Sequence, residues 1–506
     1  MLLIYPPLAK PSEMPPGVLK LAGALKYHGI KTNVMDANME GLNALLNIAP
    51  RACDTWTRRA AGRIPENISA LQNTATYTNM DRYKRAVLDL NRALAKTPSE
   101  KGIQLSLANY QSALLSPIRS ADLIRAFETF ENNPFHAWFC RRLPKILEEH
   151  TPAHVGFSLT YLSQALTTFA MIGFLKKTAP RLKIILGGGL ATSWARKPGW
   201  RNPFSGMVDT LVEGPGEKPL LRLFGVTEPE PYYPTDYDAL PTSAYLSPGL
   251  VLPYSASTGC YWNRCEFCPE VAEGNPYNPI PPEKAVAELS TLIEDKRPSL
   301  IHFLDNAISP ALFNAIATQM PPAAWYGFCR MEKALTNLEF CVALKRSGCV
   351  MLKLGLESAD PEVLSHMRKG ITIDTVTKVL SNLKRAGIAT YVYLLFGTLG
   401  ETQIGAHRTL DYTVEHANKI DFLNLAIFNL PENSPEAASL FTDDFYEGDL
   451  SLYRRFRHPG GWDRAPVRSF LSRKFKRHPS VAKILRRDPP IFTSNHAPFF
   501  MMAKTT

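Results

Sequence analysis

Three cysteines share one short window, Cys260-Tyr-Trp-Asn-Arg-Cys265-Glu-Phe-Cys268, while the other five are scattered along the 506 residues. Cysteines at i, i+5 and i+8 around a tight loop can turn three thiolates toward one metal centre. Thiolates select zinc, copper(I) or iron–sulfur centres. Structural zinc wants four ligands, and the next cysteine and histidine are the distant Cys329 and His302. Three thiolates instead leave one iron of a four-iron cluster open to a ligand that the protein does not supply. Ligand count and position therefore favour an iron–sulfur cluster over zinc.

The residues around the window must position it. After it come helix Pro282–Glu294, strand Leu300–Leu304 ending in Asp305-Asn306, and strand Trp325–Cys329 ending in Arg330. Helix Leu338–Ser347 leads to strand Met351–Leu354, which ends in Gly355-Leu356-Glu357-Ser358. Helix Asp374–Ala386 leads to strand Thr390–Leu395, which ends in Phe396-Gly397. Helix Gly405–Ala417 and strand Phe422–Phe428 close the series. About six βα units make a partial (β/α)6, TIM-like barrel, with glycines and polar residues at the strand ends where barrel chemistry is done.

A second α/β run precedes the window. Leu2–Tyr5 and Lys31–Met35 read as strands flanking a helix opened by Pro15-Pro16-Gly17. Residues 40–150 read as a helical insertion without assignable chemistry. Strand His154–Leu159, helix Gln164–Lys177, strand Lys183–Leu186 ending in Gly187-Gly188-Gly189, and strand Val208–Val212 then follow. Such alternation gives a parallel, doubly wound, Rossmann-like sheet that binds ligands beyond the carboxyl ends of its strands. A turn requirement explains the glycine triplet about as well as a ligand does. The expected organisation is an α/β domain at 1–224, a linker rich in Pro, Tyr and Asp at 225–250, the barrel at 251–435, and a small, mostly helical basic module at 436–506.

Charge is concentrated in that last part. The chain carries a net charge of +11, and between Ser451 and Asp488 twelve Lys/Arg face two Asp. Aromatics interleave these cations, which suits an anionic partner such as nucleic acid; a solvated amphipathic cap is the plainer account and is preferred. No apolar run reaches 18 residues, so no membrane span is expected. The start Met-Leu-Leu-Ile-Tyr-Pro-Pro does not read as a signal peptide. Eight cysteines without a paired framework suit a reducing compartment, with the cytoplasm as default.

Taken together, the cysteine window, Phe267, Asp305-Asn306, Gly355-Leu356-Glu357-Ser358-Ala359-Asp360, Arg368-Lys369-Gly370, Lys384-Arg385-Ala386-Gly387-Ile388 and Phe396-Gly397-Thr398-Leu399-Gly400-Glu401-Thr402 occur in the order seen in radical S-adenosylmethionine (SAM) enzymes. The resemblance covers about residues 250–430 and is nearest to the branch with methylthiotransferases and cobalamin-dependent methylases. One departure is that four residues separate the first two cysteines, where the superfamily usually has three. The resemblance implies that Cys260, Cys265 and Cys268 hold a 4Fe-4S cluster whose fourth iron takes the amino and carboxylate groups of SAM. It implies reductive cleavage of SAM to a 5′-deoxyadenosyl radical, with an external donor such as flavodoxin or ferredoxin. Phe267 would lie by the adenine, Glu357 and Lys369 would bind the methionine part or ribose, and Asp305, Asn306, Arg330 and Gly397 are further SAM candidates.

The N-terminal part resembles the cobalamin-binding domain that precedes many such enzymes. Ile4-Tyr5-Pro6-Pro7, Leu21-Ala22-Gly23-Ala24-Leu25, Gly156-Phe157-Ser158-Leu159-Thr160, Gly187-Gly188-Gly189 and Glu213-Gly214-Pro215-Gly216-Glu217 carry the likeness. It implies cobalamin contacts at Ser158, Thr160, Gly187, Gly188 and Gly189. The Asp-x-His-x-x-Gly motif that supplies a cobalt-ligating histidine is absent. The expected activity is methyl transfer to an unactivated carbon or phosphorus of a small-molecule or peptide substrate. One alternative is radical SAM chemistry without cobalamin, by rearrangement, cyclisation or sulfur insertion; an auxiliary cluster for the last is disfavoured because Cys53 and Cys140 stand far apart. Another is an iron–sulfur redox sensor or nucleic-acid-binding protein. The apolar tail Pro489–Phe500 is expected to pack over the barrel mouth.

Overall fold

The computed structural model describes residues 1–48, 54–97, 102–444, 448–490 and 496–501; Cys53 and positions 491–495 of the tail lie outside them. These residues divide into two units. One is built on Met1–Gly249 with residues 448–452 and 490, the other on residues 250–444, 453–489 and 496–501.

In the first unit, β1 (Leu2–Tyr5), β2 (Asn33–Asp36), β3 (His154–Ser158), β4 (Lys183–Gly187) and β5 (Thr210–Leu211) form a parallel sheet in the order β2-β1-β3-β4-β5. Leu2, Leu3, Ile4, Val155, Phe157, Ile184, Ile185 and Leu186 are all buried. Consecutive apolar residues of this kind are what a parallel sheet covered on both faces requires. The order reverses between β1 and β3, so the crevice outside Tyr5 and Ser158 is the topological switch point.

The insertion between β2 and β3 is mainly helical, with one hairpin pairing Ile103–Leu105 to Tyr110–Ser112. It packs on helix Leu162–Thr178 so closely that a Cβ on Gly173 would lie 2.0 Å from the Phe127 carbonyl oxygen. The stretch expected as a linker is also packed. Tyr233, Tyr237, Tyr245 and Leu246 are buried, and the Tyr245 hydroxyl donates to Asp36 at 2.7 Å. Tyrosine suits this because its apolar ring can be buried while its hydroxyl finds an acceptor.

The second unit holds six parallel strands: β6 (Val251–Tyr254), β7 (Leu300–Phe303), β8 (Trp325–Cys329), β9 (Cys349–Glu357), β10 (Ala389–Phe396) and β11 (Phe422–Ile427). Their order is β11-β10-β9-β8-β7-β6. The sequence reading did not identify β6. Pro253 obscures it, and an edge position tolerates a residue that cannot complete a ladder on both sides.

The C-terminal segment is mostly helical among its described residues, as expected, and adds a small sheet. Leu430–Pro431, Tyr453–Phe456 and Thr442–Asp444 form an antiparallel sheet, and helices Arg464–Phe470 and Pro479–Leu485 follow. Phe475 packs its ring 5.2 Å from that of Phe396 in β10. The tail expectation is corrected for residues 496–501. Ala497 is buried with Val251, Leu300, Ala389 and Phe422, each the first residue of its strand. That places it at the amino end of the barrel, opposite the strand ends that carry Asp305, Arg330 and Glu357. Aromatic stacking explains the choice: His496 lies 4.2 Å from the Tyr391 ring.

Candidate functional site

Cys260, Cys265 and Cys268 are free thiols, each partly buried, on the loop that follows β6. A short ladder between Ser257–Thr258 and Asn278–Pro279 pins the base of this loop. Gly259 enters it at φ +71, and a Cβ there would meet the Pro276 carbonyl oxygen at 2.3 Å. The Cys268 amide donates to the Cys265 carbonyl at 3.1 Å, closing a turn that sets both side chains. Burial pushes the Cys268 thiol up to about 11. It also raises Cys265, against the opposing pull of Lys369 and Arg330. Burial thus works against a free thiolate at both positions, and thiolate ligation of a metal is coupled to proton release.

Among the described residues, no three His, Cys, Asp or Glu side chains form a group able to hold a single metal ion. A polynuclear cluster sets a different requirement, since each cysteine ligates its own iron. Three free thiols on one loop are the donor set that such a cluster takes, so the residues fit it.

Strand-end residues expected near SAM turn out to support this loop. Asp305 is buried and accepts from the Ala256 amide at 3.1 Å and from the Ser257 hydroxyl. The Asn306 amide donates to the Gly259 carbonyl at 3.2 Å. Arg330 is buried, with Nε donating to Glu332 at 3.0 Å and Nη2 to the Lys369 carbonyl at 2.5 Å. Its Nη1 lies 4.0 Å from the Cys265 sulfur.

Glu357 ends β9 at φ 66, just past a register shift between Gly355 and Glu357. A bulge of this kind re-aims a side chain at a strand end. Here it turns Glu357 toward Lys369, whose Nζ donates to Oε1 at 2.9 Å. The pair sits over Gly355, where a Cβ would come within 2.6 Å of that oxygen and 2.7 Å of that nitrogen. Lys369 Nζ also lies 5.4 Å from the Phe267 ring centroid, which brings three candidates together beside the cysteines. Among the described residues, five non-glycine residues have positive φ. Thr151 and Arg297 cap helices; the other three, Asn263, Glu357 and Arg368, all lie at this site. Sparsely populated backbone gathers where surrounding contacts enforce a functional geometry.

Gly397 follows β10 at φ +79, and its amide donates to Glu401. Val467 stands 3.3 Å from where its Cβ would be. Glu401 also accepts from Trp462 Nε1 at 2.9 Å, and burial raises its carboxyl to about 7. His458 donates from Nε2 to the Thr398 carbonyl at 2.9 Å, while its Nδ1 accepts from the Gly460 and Trp462 amides. The basic segment thus braces the turn after β10. Sequence reasoning gave no role to Trp262 or Trp462 and held Gly355 and Glu401 only as members of strand-end motifs; an odd tryptophan inside the cysteine window hinted at the first.

In the first unit, Ser158 and Thr160 stand at the carboxyl end of β3 beside Gly187, Gly188 and Gly189. Gly188 has φ +103, and a Cβ there would lie 2.4 Å from the Leu159 carbonyl oxygen. Gly187 packs against Val212, at 3.4 Å from its would-be Cβ. Gly188 therefore answers to the loop itself, whereas Gly187 meets only ordinary van der Waals contact. Gly189 is exposed, and only the Thr160 methyl approaches it, at 3.9 Å. Gln164 joins the strand ends by donating to the Pro6 carbonyl at 2.7 Å and accepting from the Thr160 and Tyr161 amides. Open backbone at a switch point, edged by small residues and hydroxyls, fits a large planar cofactor laid against it.

Residues 254–412 match the Radical SAM superfamily model. An uncharacterized methyltransferase of Pyrococcus horikoshii is 26% identical over 242 residues, 43% of this chain and 51% of that protein. The chain thus spans about half the length of that curated relative. Bacteriochlorophyllide d C-12(1)-methyltransferase of Chlorobaculum tepidum is 33% identical over 78 residues, 15% of this chain and 17% of that protein. The structure of the radical S-adenosylmethionine methyltransferase TsrM from Kitasatospora setae, with cobalamin and a 4Fe-4S cluster bound, is similar in fold. Its TM-score is 0.52 at 15% identity, over 87% of this chain and 77% of that one. Among the described residues, no helix is long and apolar enough to cross a membrane.

Proposed function

With a radical SAM domain at residues 254–412 as the premise, we propose that this protein cleaves SAM reductively at a 4Fe-4S cluster and, with cobalamin, methylates an unactivated carbon or phosphorus. Cys260, Cys265 and Cys268 would hold the cluster. Phe267, Glu357, Lys369 and the Gly397 turn would hold SAM, and the edge formed by Ser158, Thr160 and Gly189 would hold cobalamin. When bound, the cluster supplies the electron for cleavage and cobalamin the carrier for the methyl group.

The chain's own residues have separate tasks. Lys369 and Glu357 neutralise each other before SAM arrives, and they match the carboxylate and the ammonium or hydroxyl groups that SAM presents. Arg330 and Asn306 hold the cysteine loop against the strand ends. Glu401 and Trp462 hold the Gly397 turn. An external donor such as flavodoxin or ferredoxin would deliver the electron, in a reducing, cytoplasmic setting.

One observation carries the reading. The thiol loop and the Glu357–Lys369 pair meet at the carboxyl ends of the barrel strands, and Arg330 bridges them through contacts at 4.0 Å to Cys265 and 2.5 Å to Lys369. The names of the relatives support the methyl-transfer part. Anaerobic reconstitution with iron, sulfide and hydroxocobalamin, followed by metal counts and SAM-cleavage assays, tests both parts. Bound cobalt and formation of 5′-deoxyadenosine are expected. Absence of SAM cleavage removes the whole reading. Cobalt near zero removes the methyl-transfer part and leaves a radical SAM enzyme without cobalamin, a second reading favoured by the loop-internal reason for Gly188.

A further inference from the structure

The four residues between Cys260 and Cys265 are one more than the usual spacing, and the structure shows where the added length goes. Asn263 takes φ 43, a left-handed conformation that asparagine accepts more readily than most residues. Trp262, just before it, is laid onto the turn that carries Lys369. Its Nε1 donates to the Arg368 carbonyl at 3.0 Å. Its ring lies 3.9 Å from the Arg330 guanidinium carbon. Gly370 at φ +68 leaves room for the ring, since a Cβ there would stand 2.2 Å from Trp262 Cζ2. Next to it, the Tyr261 hydroxyl donates to Glu332, the same carboxylate that takes Arg330 Nε.

These contacts link the cysteine loop to the Glu357–Lys369 pair. Trp262 covers the face of Arg330, and Arg330 Nη2 holds the Lys369 carbonyl at 2.5 Å. Lys369 Nζ then reaches Glu357 at 2.9 Å. A guanidinium stacked on an indole and bonded at its edges is fixed in plane and in rotation, which neither contact achieves alone. Arg368, whose carbonyl takes the indole N–H, is itself left-handed at φ 50, and its Nε pairs with Glu266 of the cysteine loop at 2.9 Å. The 368–370 turn is therefore tied to the cysteine loop from both sides of Cys265.

We propose that Trp262 is a positioning residue for SAM: acting through Arg330 and Gly370, it sets Lys369 relative to the cysteine loop and so sets the affinity of the site for the charged amino-acid end of SAM. This rests on the reading that the Glu357–Lys369 pair takes SAM. The added loop residue is then the device that lets the cysteine loop order its own substrate clamp.

The test uses the full-length protein, reconstituted anaerobically with iron and sulfide. It measures iron content, equilibrium SAM binding, the change in the reduced cluster's EPR signal on adding SAM, and KM against kcat for SAM cleavage. Trp262→Ala is expected to keep the wild-type iron content, weaken SAM binding about tenfold, and raise KM more than it lowers kcat. Trp262→Phe keeps a ring over Arg330 but loses the N–H donor, and should fall between the two. Wild-type SAM affinity in both variants would overturn the proposal. So would loss of iron with unchanged affinity per loaded cluster, because the tryptophan would then serve only the loop. If wild-type protein itself shows no SAM-dependent EPR change, the SAM reading has failed rather than the clamp.

Discussion

Lys369 Nζ and Glu357 Oε1 are 2.9 Å apart, and their side chains are only 7% and 12% exposed. A pair this buried recovers little net energy, because desolvation offsets most of the Coulomb attraction. Its value lies in geometry. Glu357 is held at φ 66 by the bulge in β9, and Lys369 is held by Arg330 through its carbonyl. The charges are arranged before any ligand arrives, which lowers the ordering cost of binding one.

Lys369→Met should therefore be worse than losing both charges. It leaves a buried carboxylate without its cation, at a cost of about 3 kcal/mol. The double variant with Glu357→Gln should recover much of that stability while still failing to bind SAM. Denaturant unfolding of the cluster-free protein, run as a double-mutant cycle, measures the coupling. Additive single-variant effects would show that the pair is not coupled.

Gly355→Ala is the least intrusive way to disturb the pair. The new methyl would stand 2.6 Å from Glu357 Oε1 and 2.7 Å from Lys369 Nζ, so at least one side chain must move. Iron loading should stay at the wild-type level while SAM affinity falls by about an order of magnitude, the factor that 1.4 kcal/mol corresponds to. Calorimetric titration of the reconstituted variant with SAM decides it, and wild-type affinity would place the ligand elsewhere.

In the second unit the described cysteines divide into the loop set Cys260, Cys265 and Cys268 and the buried set Cys329, Cys341 and Cys349. Cys260→Ala, Cys265→Ala and Cys268→Ala should each lose most of the bound iron, with far-UV circular dichroism unchanged. Cys329→Ala should retain the iron, because that buried thiol ends β8 and burial holds its proton firmly. Iron and sulfide counts after reconstitution give the answer. Loss of iron from Cys329→Ala would point to a fourth protein ligand and contradict an open iron.

Glu401 gives the fold a pH dependence of definite sign. Burial raises its carboxyl from 4.5 to about 7, so the folded state prefers the neutral form. The unfolded chain loses that proton first, and the contribution is full below about 4.5 and declines as pH rises to about 7. At 1.36 kcal/mol per unit the loss is roughly 3 kcal/mol. Glu401→Gln should flatten this slope while keeping an acceptor for Gly397 and Trp462. Unfolding free energies of the cluster-free protein from pH 4.5 to 8 test it; parallel curves for the two proteins would refute the assignment.

Much of the architecture is legible in the chain because it is written locally. The alternation that produces β7 to β11, the helices between them, and three cysteines within one short loop all depend on near neighbours. The same holds for the glycines and polar residues that gather at the strand ends. Pro253 hid the edge strand β6 because local propensity opposes it and only the pairing with β7 overrides it. The packed tyrosines of 233–245 were misjudged for a related reason, since a Pro- and Asp-rich stretch gives no sign of the surface that will receive it.

The sequence by itself thus determined the three-cysteine window, the α/β alternation apart from β6, and the order in which candidate residues reach the strand ends. Tertiary structure alone decided what each of them does there. Asp305, Asn306 and Arg330 belong to the support of the cysteine loop, Glu401 and Trp462 brace the Gly397 turn, and Ala497 lies under the barrel instead of over it. These assignments join residues up to some 250 positions apart. Their partners are chosen by packing and by which buried polar groups still need a hydrogen bond, and no local spacing in a chain encodes that.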